Sequence, residues 1–341
     1  MALSRTTRAA VLAAAVLTVT SVGAAPASAG SHDHGRRDTF AVIGDIPYGA
    51  DEIAAFPRNI AQINADPAVS LVVHLGDIKN GSTPCTDKYF SMIRDDFDRF
   101  RDPLVYTIGD NEWTDCHRPN NGGYDPLERL AQVRSTFFDR PGSTLGRRPL
   151  RVDSDAAAGY PENVAWTRDR VAFASVHVVG SNNDLAPWTG HTTPTPEQTA
   201  EVLGRTADTI HLIRETFERA RARHDRAVVL MTQADMFDPT VPDRQLADYY
   251  AFQPIVAAIA QESAAYGRPV YLFNGDSHLY NADQPLGTGS PWLGFYGVGQ
   301  AAPNLTRVTV DGSENAKDYL RVRIGKDRDA PLSWTRVPFR G

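Results

Sequence analysis

Short apolar runs recur along the chain, and several of them close on glycine followed by aspartate. In "TFAVIGD", "VSLVVHLGD" and "PLVYTIGD" the apolar residues are continuous and do not alternate with polar ones, which predicts strands buried on both faces. Between them "DEIAAFPRNIAQINA" and "TDKYFSMIRDDFDRF" have helical spacing, the first with an expected interruption near Pro57. A third helix, "PLERLAQVRSTFF", is predicted to start at Pro126 with Asp125 as its N-cap. Alternating strands and helices predict an α/β architecture.

The second half of the chain has a different texture. "NVAWTRDRVAFASVHVVGS" reads as two strands folded back at Arg168-Asp169-Arg170, and "PEQTAEVLGRTADTIHLIRETFERARARH" as a long helix from Pro196. "RAVVLMTQAD" and "PVYLFNGDSH" are further buried strands around a helix in "YYAFQPIVAAIAQESAAY", and "TRVTVDG" with "DYLRVRIG" reads as a terminal antiparallel pair. No internal repeat or long linker breaks the pattern, so one domain over 39–330 is expected, followed by a C-terminal tail at 331–341.

Composition adds an address. At 341 residues, 42% hydrophobic and 22% charged, the chain is neither disordered nor fibrous. Its first 29 residues carry Arg5 and Arg8, an apolar Ala/Val/Leu run and then Ala27-Ser28-Ala29, the pattern of a cleaved signal peptide. The apolar run falls short of the roughly 20 residues a membrane span needs. A secreted protein with no membrane span is therefore expected, with 30–38 as a flexible leader. In an oxidising compartment the two cysteines, Cys85 and Cys116, are expected to pair, and no CxxC spacing marks them as metal ligands. The net charge of −6 falls by two more units if Arg5 and Arg8 are removed, which argues against extended nucleic-acid binding. It leaves room for a small anionic substrate held through metal ions.

The candidate chemistry lies where strands end. "YTIGDNEWTDCHR" packs Asp110, Asn111, Glu112, Asp115, Cys116 and His117 behind an apolar run, and similar clusters sit at Asp45, Asp77, Gln233-Ala234-Asp235 and Asp276-Ser277-His278. Side chains converge beyond the carboxyl ends of strands in open α/β sheets, and carboxylates gathered at one rim repel unless cations lie among them. Taken singly, a Gly-Asp after a strand is a turn or cap, and His74 and His177, inside apolar runs, read as packed core histidines. His211 and His224 fall in the predicted long helix. The recurrence of the clusters in strand order points to metal binding.

"GDIPYG", "LGDIKNG", "IGDNEW", "VLMTQAD" and "NGDSH" resemble, in order, the five blocks of the calcineurin-like metallophosphoesterases: D-x-H, G-D-x-x-D/N, G-N-H-E/D, a V-x-x-H-like block and G-H-x-H. The resemblance implies a four-layer α-β-β-α sandwich with two mixed sheets and two divalent metal ions at the strand ends. It implies Asp45 and His278 as ligands of one metal, Asp77 as the bridge, and Asp110, Gln233 and Asp276 as ligands of the second. A register slipped by one would make Asn111 the ligand in place of Asp110. Pro47, Asn111, Gln233 and Asp276 stand where the family has histidine, and oxygen in place of imidazole favours Mg, Mn or Ca over Zn.

The implied activity is metal-dependent hydrolysis of a small phosphoester, monoester or diester, by a hydroxide bridging the metals. Asn111 occupies the family's catalytic histidine position, and His117 is a candidate replacement proton donor. Tyr48, Asn80, Asn182 and His191 are candidate substrate contacts. Asp-x-x-Tyr resembles the phenolate ligand of purple acid phosphatases, but there the tyrosine belongs to the second block, so Tyr48 is assigned to the rim. The alternative is a binding or structural protein on the same fold that has lost turnover with its histidines. The sequence assigns no oligomeric state.

Overall fold

Continuous apolar strands need cover on both sides, and the molecule supplies it. The computed structural model describes residues 1–2 and 38–340; the expected signal peptide and leader fall almost wholly on 3–37, outside the described residues. In β1 (Thr39–Ile43), Ala41 and Ile43 face a helical layer while Phe40 and Val42 face a second sheet. β7 (Ala227–Met231) and β8 (Val270–Asn274) divide likewise: Val228, Leu230, Val270 and Leu272 meet helices, and Val229, Met231, Tyr271 and Phe273 meet the first sheet. Period-two alternation of side chains thus feeds two different cores from one apolar run.

The first sheet has the order β12-β11-β1-β2-β3, where β2 is Val72–His74, β3 Leu104–Tyr106, β11 Asp318–Ile324 and β12 Leu332–Pro338. β1, β2 and β3 run parallel, and β11 is antiparallel to both β1 and β12. The second sheet runs β4-β5-β6-β7-β8-β10-β9, with β4 at Asp153–Asp155, β5 at Tyr160–Arg168, β6 at Val171–Ser175, β9 at Asn281–Asp283 and β10 at Leu305–Thr309. Phe40 meets Phe173 and Phe273 edge-on between the sheets, at 5.7 and 6.1 Å.

Helices α1 (Gly49–Ala65), α2 (Asp87–Phe97) and α3 (Pro126–Phe137) cover the first sheet; α4 (Pro196–Ala222) and α5 (Gln253–Tyr266) cover the second. The result is the expected four-layer α-β-β-α sandwich. Asp125 caps α3 through Glu128 N–H, and Thr195 and Gln198 form a reciprocal capping box on α4. The hairpin turn forms as expected, with Asp169 and Arg170 left-handed at φ 50° and 59°.

Four expectations change. α1 is unbroken through Pro57. A mid-helix proline costs about 3 kcal/mol, whereas burial of Phe56, Ile60 and Ile63 returns about 1.5–3 kcal/mol each. The terminal strands do not pair with each other: β10 runs parallel to β8 in the second sheet and β11 lies against β1 in the first. The stretch expected as a tail from 331 holds β12, which pairs along the whole length of β11. His224 lies just past α4 and not within it, in a left-handed conformation.

Candidate metal centre

The loops leaving β1, β2, β3, β6, β7 and β8 meet at one rim, and each carries polar side chains inward. Asp45, Asp77, Asp276 and His278 all adopt left-handed backbone conformations, φ 52°, 54°, 74° and 59°. Non-glycine residues rarely accept that region, so four such positions in one cluster mark strain concentrated at the rim. Asp45 and Asp77 are fully buried, and Asp110 is 7% exposed.

Carboxylate and imidazole atoms of Asp45, Asp77 and His278 lie within 4.8 Å of one another, and so do those of Asp77, Asp110 and Asp276. Asp77 belongs to both groups. Close backbone approach makes this crowding possible: a Cβ on Gly180 would lie 2.5 Å from Asp110 Oδ2 and 3.0 Å from Asp276 Oδ1, and one on Gly275 or Gly312 would collide with Asp45.

Donors surround the acids without neutralising them. Asp77 Oδ2 accepts from Tyr48 Oη at 2.9 Å and from Asn111 Nδ2 at 2.7 Å. Asp45 accepts from the Asp276 backbone N–H at 3.0 Å, and His278 Nε2 lies 3.5 Å from Asp45 Oδ1. Burial, then repulsion from Asp110, Glu112, Asp45 and Asp276, pushes the Asp77 pKa well above the usual carboxylate range. Burial and the neighbouring Asp110 and Asp45 do the same to Asp276, and burial also raises Asp45. Burial opposes charge on His278, but its hydrogen bond to Asp45 and the surrounding acids outweigh that and raise its pKa. Glu112 accepts from Ile78 N–H and Tyr106 Oη at 2.9 Å each, while its Oε2 has no hydrogen-bond partner among the described residues. Buried acids raised by one another and an orphaned carboxylate oxygen beside them fit a divalent cation. The donor set, mostly oxygen with one imidazole, suits hard ions.

Gln233 is not free to act as expected. Gly180 N–H can only donate, and it does so to Gln233 Oε1 at 2.8 Å. The Gln233 amide nitrogen therefore faces the acids, 3.3 Å from Asp110 Oδ1 and 3.1 Å from Asp276 Oδ1, so Gln233 gathers two carboxylates and turns its oxygen to Gly180. Asn111 spends its amide nitrogen on Asp77, with its backbone carbonyl held by buried Lys79 Nζ at 2.7 Å.

The expected outer residues divide. Tyr48 lies at the bridge itself, 3.5 Å from His278 Nε2. Asn80 closes its own turn: its Oδ1 accepts from Ser82 N–H, Ser82 Oγ and Thr83 Oγ1 at 3.0, 3.1 and 2.9 Å. His117 Nδ1 accepts from Thr189 N–H at 2.9 Å, which leaves the proton of the neutral ring on Nε2. Burial and then Arg118 bring its pKa down to about 4, so it is a poor proton donor near neutrality. His117 and His191 line a separate depression with Trp188 and Thr189. Cys85 and Cys116 form the expected disulfide, with Cα atoms 5.9 Å apart. His74 and His177 are core residues as expected, bonded to Ile46 O and Glu162 at 2.8 Å each.

The loop after β6, from which the sequence offered Asn182 as a substrate contact, takes a shape that the sequence did not show. Ser181, Asn182, Asn183 and Asp184 are all left-handed, φ 51°, 55°, 52° and 70°, at a cost of about 1–2 kcal/mol per residue. Arg205, fully buried in α4, holds the loop through Asn183 Oδ1 at 2.5 Å and Asn183 O at 3.1 Å, and Asn182 Oδ1 accepts from Ala251 N–H at 3.1 Å. The loop sets Ser181 Oγ 3.1 Å from Asp110 Oδ2. Beyond Asp276 a cavity of about 450 Å³ opens between this loop and the segment after β7, with Arg118, Leu185, Pro187, Tyr249 and Phe252 among its walls.

No family model matches the chain, and no curated protein matches it. Among solved structures it is similar to the sulfate thiohydrolase SoxB of Thermus thermophilus, at 15% identity and a TM-score of 0.41, over 84% of this chain and 42% of that one. It is also similar to GAP50, the anchor in the inner membrane complex of Plasmodium, at 6% and 0.42 over 89% of each chain. A third is purple acid phosphatase PPD1 of yellow lupin, at 10% and 0.41 over 88% of this chain and 51% of that one. The chain therefore spans about half or less of the SoxB and phosphatase chains. Likenesses this distant leave the site to be read from its own geometry.

Proposed function

We propose that the protein is an exported metal-dependent phosphoester hydrolase. The observation that carries this reading is the pair of acid groups sharing Asp77, each spaced to hold one divalent cation. Asp45, Asp77 and His278 would hold one ion and Asp77, Asp110 and Asp276 the other, with Mg, Mn or Ca favoured over Zn. Bound there, such ions stabilise charge on phosphoryl oxygens and acidify a water for in-line attack.

The chain's own residues prepare that chemistry. Tyr48 and Asn111 both donate to Asp77, and Gln233 donates to Asp110 and Asp276 from one amide nitrogen. The cavity walled by Tyr249 and Phe252 receives the organic part of the ester. With Asn111 an amide and His117 turned to another depression, neither serves the leaving group. Esters of good leaving groups are the substrates of choice, and alkyl esters turn over slowly. No helix among the described residues is long and apolar enough to cross a membrane.

The test is hydrolysis of an aryl phosphomonoester and an aryl phosphodiester by chelated protein reloaded with Mg, Mn, Ca or Zn. Metal-restored turnover of either ester supports the reading. Tight metal binding with no turnover of any ester selects the alternative, a metal-bearing binding protein on the same fold.

A further inference from the structure

We infer that Arg118 is the residue that binds the phosphoryl group, reaching it through a gap that Gly81 keeps open; this rests on the phosphoesterase reading above. The charge balance of the site favours such a residue. Four aspartates, Asp45, Asp77, Asp110 and Asp276, match the charge of two divalent ions, so a cation beside the loaded cluster would add to the hold that the ions themselves have on a phosphate dianion.

Among the described residues, Arg118 is the one cationic side chain lining the cavity that opens at Asp276. Its position is built. Nη1 lies 2.7 Å from Asp115 Oδ2, and Nη2 lies 3.4 Å from Ser181 Oγ. Ser181 Oγ is in turn 2.8 Å from Asp115 Oδ1 and 3.1 Å from Asp110 Oδ2. One hydroxyl therefore separates the guanidinium from a carboxylate of the second metal group. Asp115 is 3% exposed, so the anchor is buried while the Arg118 side chain stays 42% exposed. A guanidinium has five N–H donors, and these contacts leave several for a ligand.

Gly81 supplies the opening. Its backbone is not left-handed, so glycine is not needed there for conformation. A Cβ at Gly81 would lie 3.2 Å from Asn111 Oδ1 and 3.8 Å from Arg118 Nη1, so the absent methyl leaves a gap between amide and guanidinium. Asn111 Oδ1 is an acceptor, so only the Arg118 wall of the gap attracts an anion. A non-bridging phosphoryl oxygen on the Arg118 side of that gap would accept from the guanidinium.

The test uses the full mature chain loaded with the metal that supports turnover. Metal content, binding of inorganic phosphate by calorimetry, and kcat and KM for an aryl phosphate are measured for wild type, Arg118→Ala, Arg118→Lys and Gly81→Ala. Arg118→Ala is expected to keep its metals and lose about 30-fold in phosphate affinity and in kcat/KM, the scale of a charge-assisted contact. Added guanidinium ion should restore part of the turnover of Arg118→Ala, a rescue that a merely structural arginine would not give. Gly81→Ala, which leaves the Arg118–Asp115 pair in place, should lose phosphate affinity about 10-fold without rescue. Unchanged phosphate affinity in Arg118→Ala with metals retained would overturn the inference while leaving the hydrolase reading intact. A loaded wild type that neither binds phosphate nor hydrolyses any ester would overturn both.

Discussion

Two regions of this molecule bury carboxylates, and they treat them in opposite ways. Under α4, Glu162 is fully buried with His177 Nδ1 at 2.8 Å and Arg134 Nε at 3.0 Å. Burial would raise its pKa, but His177 and Arg134 together bring it down to about 2. His177 is itself held at about 4, mainly by burial, so at neutral pH Arg134 is the cation that matters. At the rim, Asp45, Asp77 and Asp276 are raised by burial and mutual repulsion, with no arginine or lysine paired to any of them among the described residues. The chain supplies a guanidinium where an acid has a structural task. Where it withholds one, the acids are left spaced as a divalent cation would need them.

The comparison predicts contrasting mutants. The largest effect is expected from Asp77→Asn: at least about a thousand-fold loss of turnover, since metal ions supply several kcal/mol of transition-state stabilisation. In chelator the same variant should melt higher than wild type, because it relieves repulsion; a lower melting temperature there would break the contrast. Glu162→Gln should do the reverse, costing about 3–5 kcal/mol in urea denaturation by leaving Arg134 with an uncompensated charge, at unchanged metal content.

Next comes the disulfide. Cys85→Ser with Cys116→Ser opens a loop of 31 residues, worth about 3–4 kcal/mol of chain entropy. Because the bridge joins the loops carrying Asp77 and Asp110, metal affinity should fall as well. Full metal affinity in the double variant would mean that the rim is held without it.

The smallest effect is in the pH profile. Raised folded-state pKa values mean that Asp45, Asp77 and Asp276 must release protons to bind cations, so the melting-temperature gain from metal should grow as pH rises above about 4. Glu162 has the opposite sign: its lowered pKa contributes stability that is present above 4.5 and is lost as pH falls toward 2. A metal-dependent gain that is flat with pH would contradict the raised values at the rim.

Much of this was legible in the sequence, for a physical reason. Strands covered on both faces are continuous apolar runs, and their Gly-Asp ends are local signals, so the main strands and rim acids could be read directly. β12 was not: only Leu332 in it is buried, and a half-exposed edge strand looks like a tail. The partners of β10 and β11 depend on contacts far along the chain, which periodicity does not encode. In the site, the aspartates followed from the blocks, but the direction of the Gln233 amide is set by Gly180 across 53 residues. The left-handed turn at Ser181–Asp184 depends on Arg205, and the place of Arg118 depends on that turn. Asp115 and Arg118, three apart and followed by a glycine-rich loop, were the one local hint of the guanidinium.

The most direct test of the central claim is metal stoichiometry, by elemental analysis of wild type and Asp77→Asn after separate loading with Mg, Mn, Ca and Zn. The account predicts about two equivalents per chain in the wild type and less than about one in the variant, because one carboxylate serves both ions. Two equivalents retained by Asp77→Asn, or none held by the wild type with any of the four metals, would contradict it.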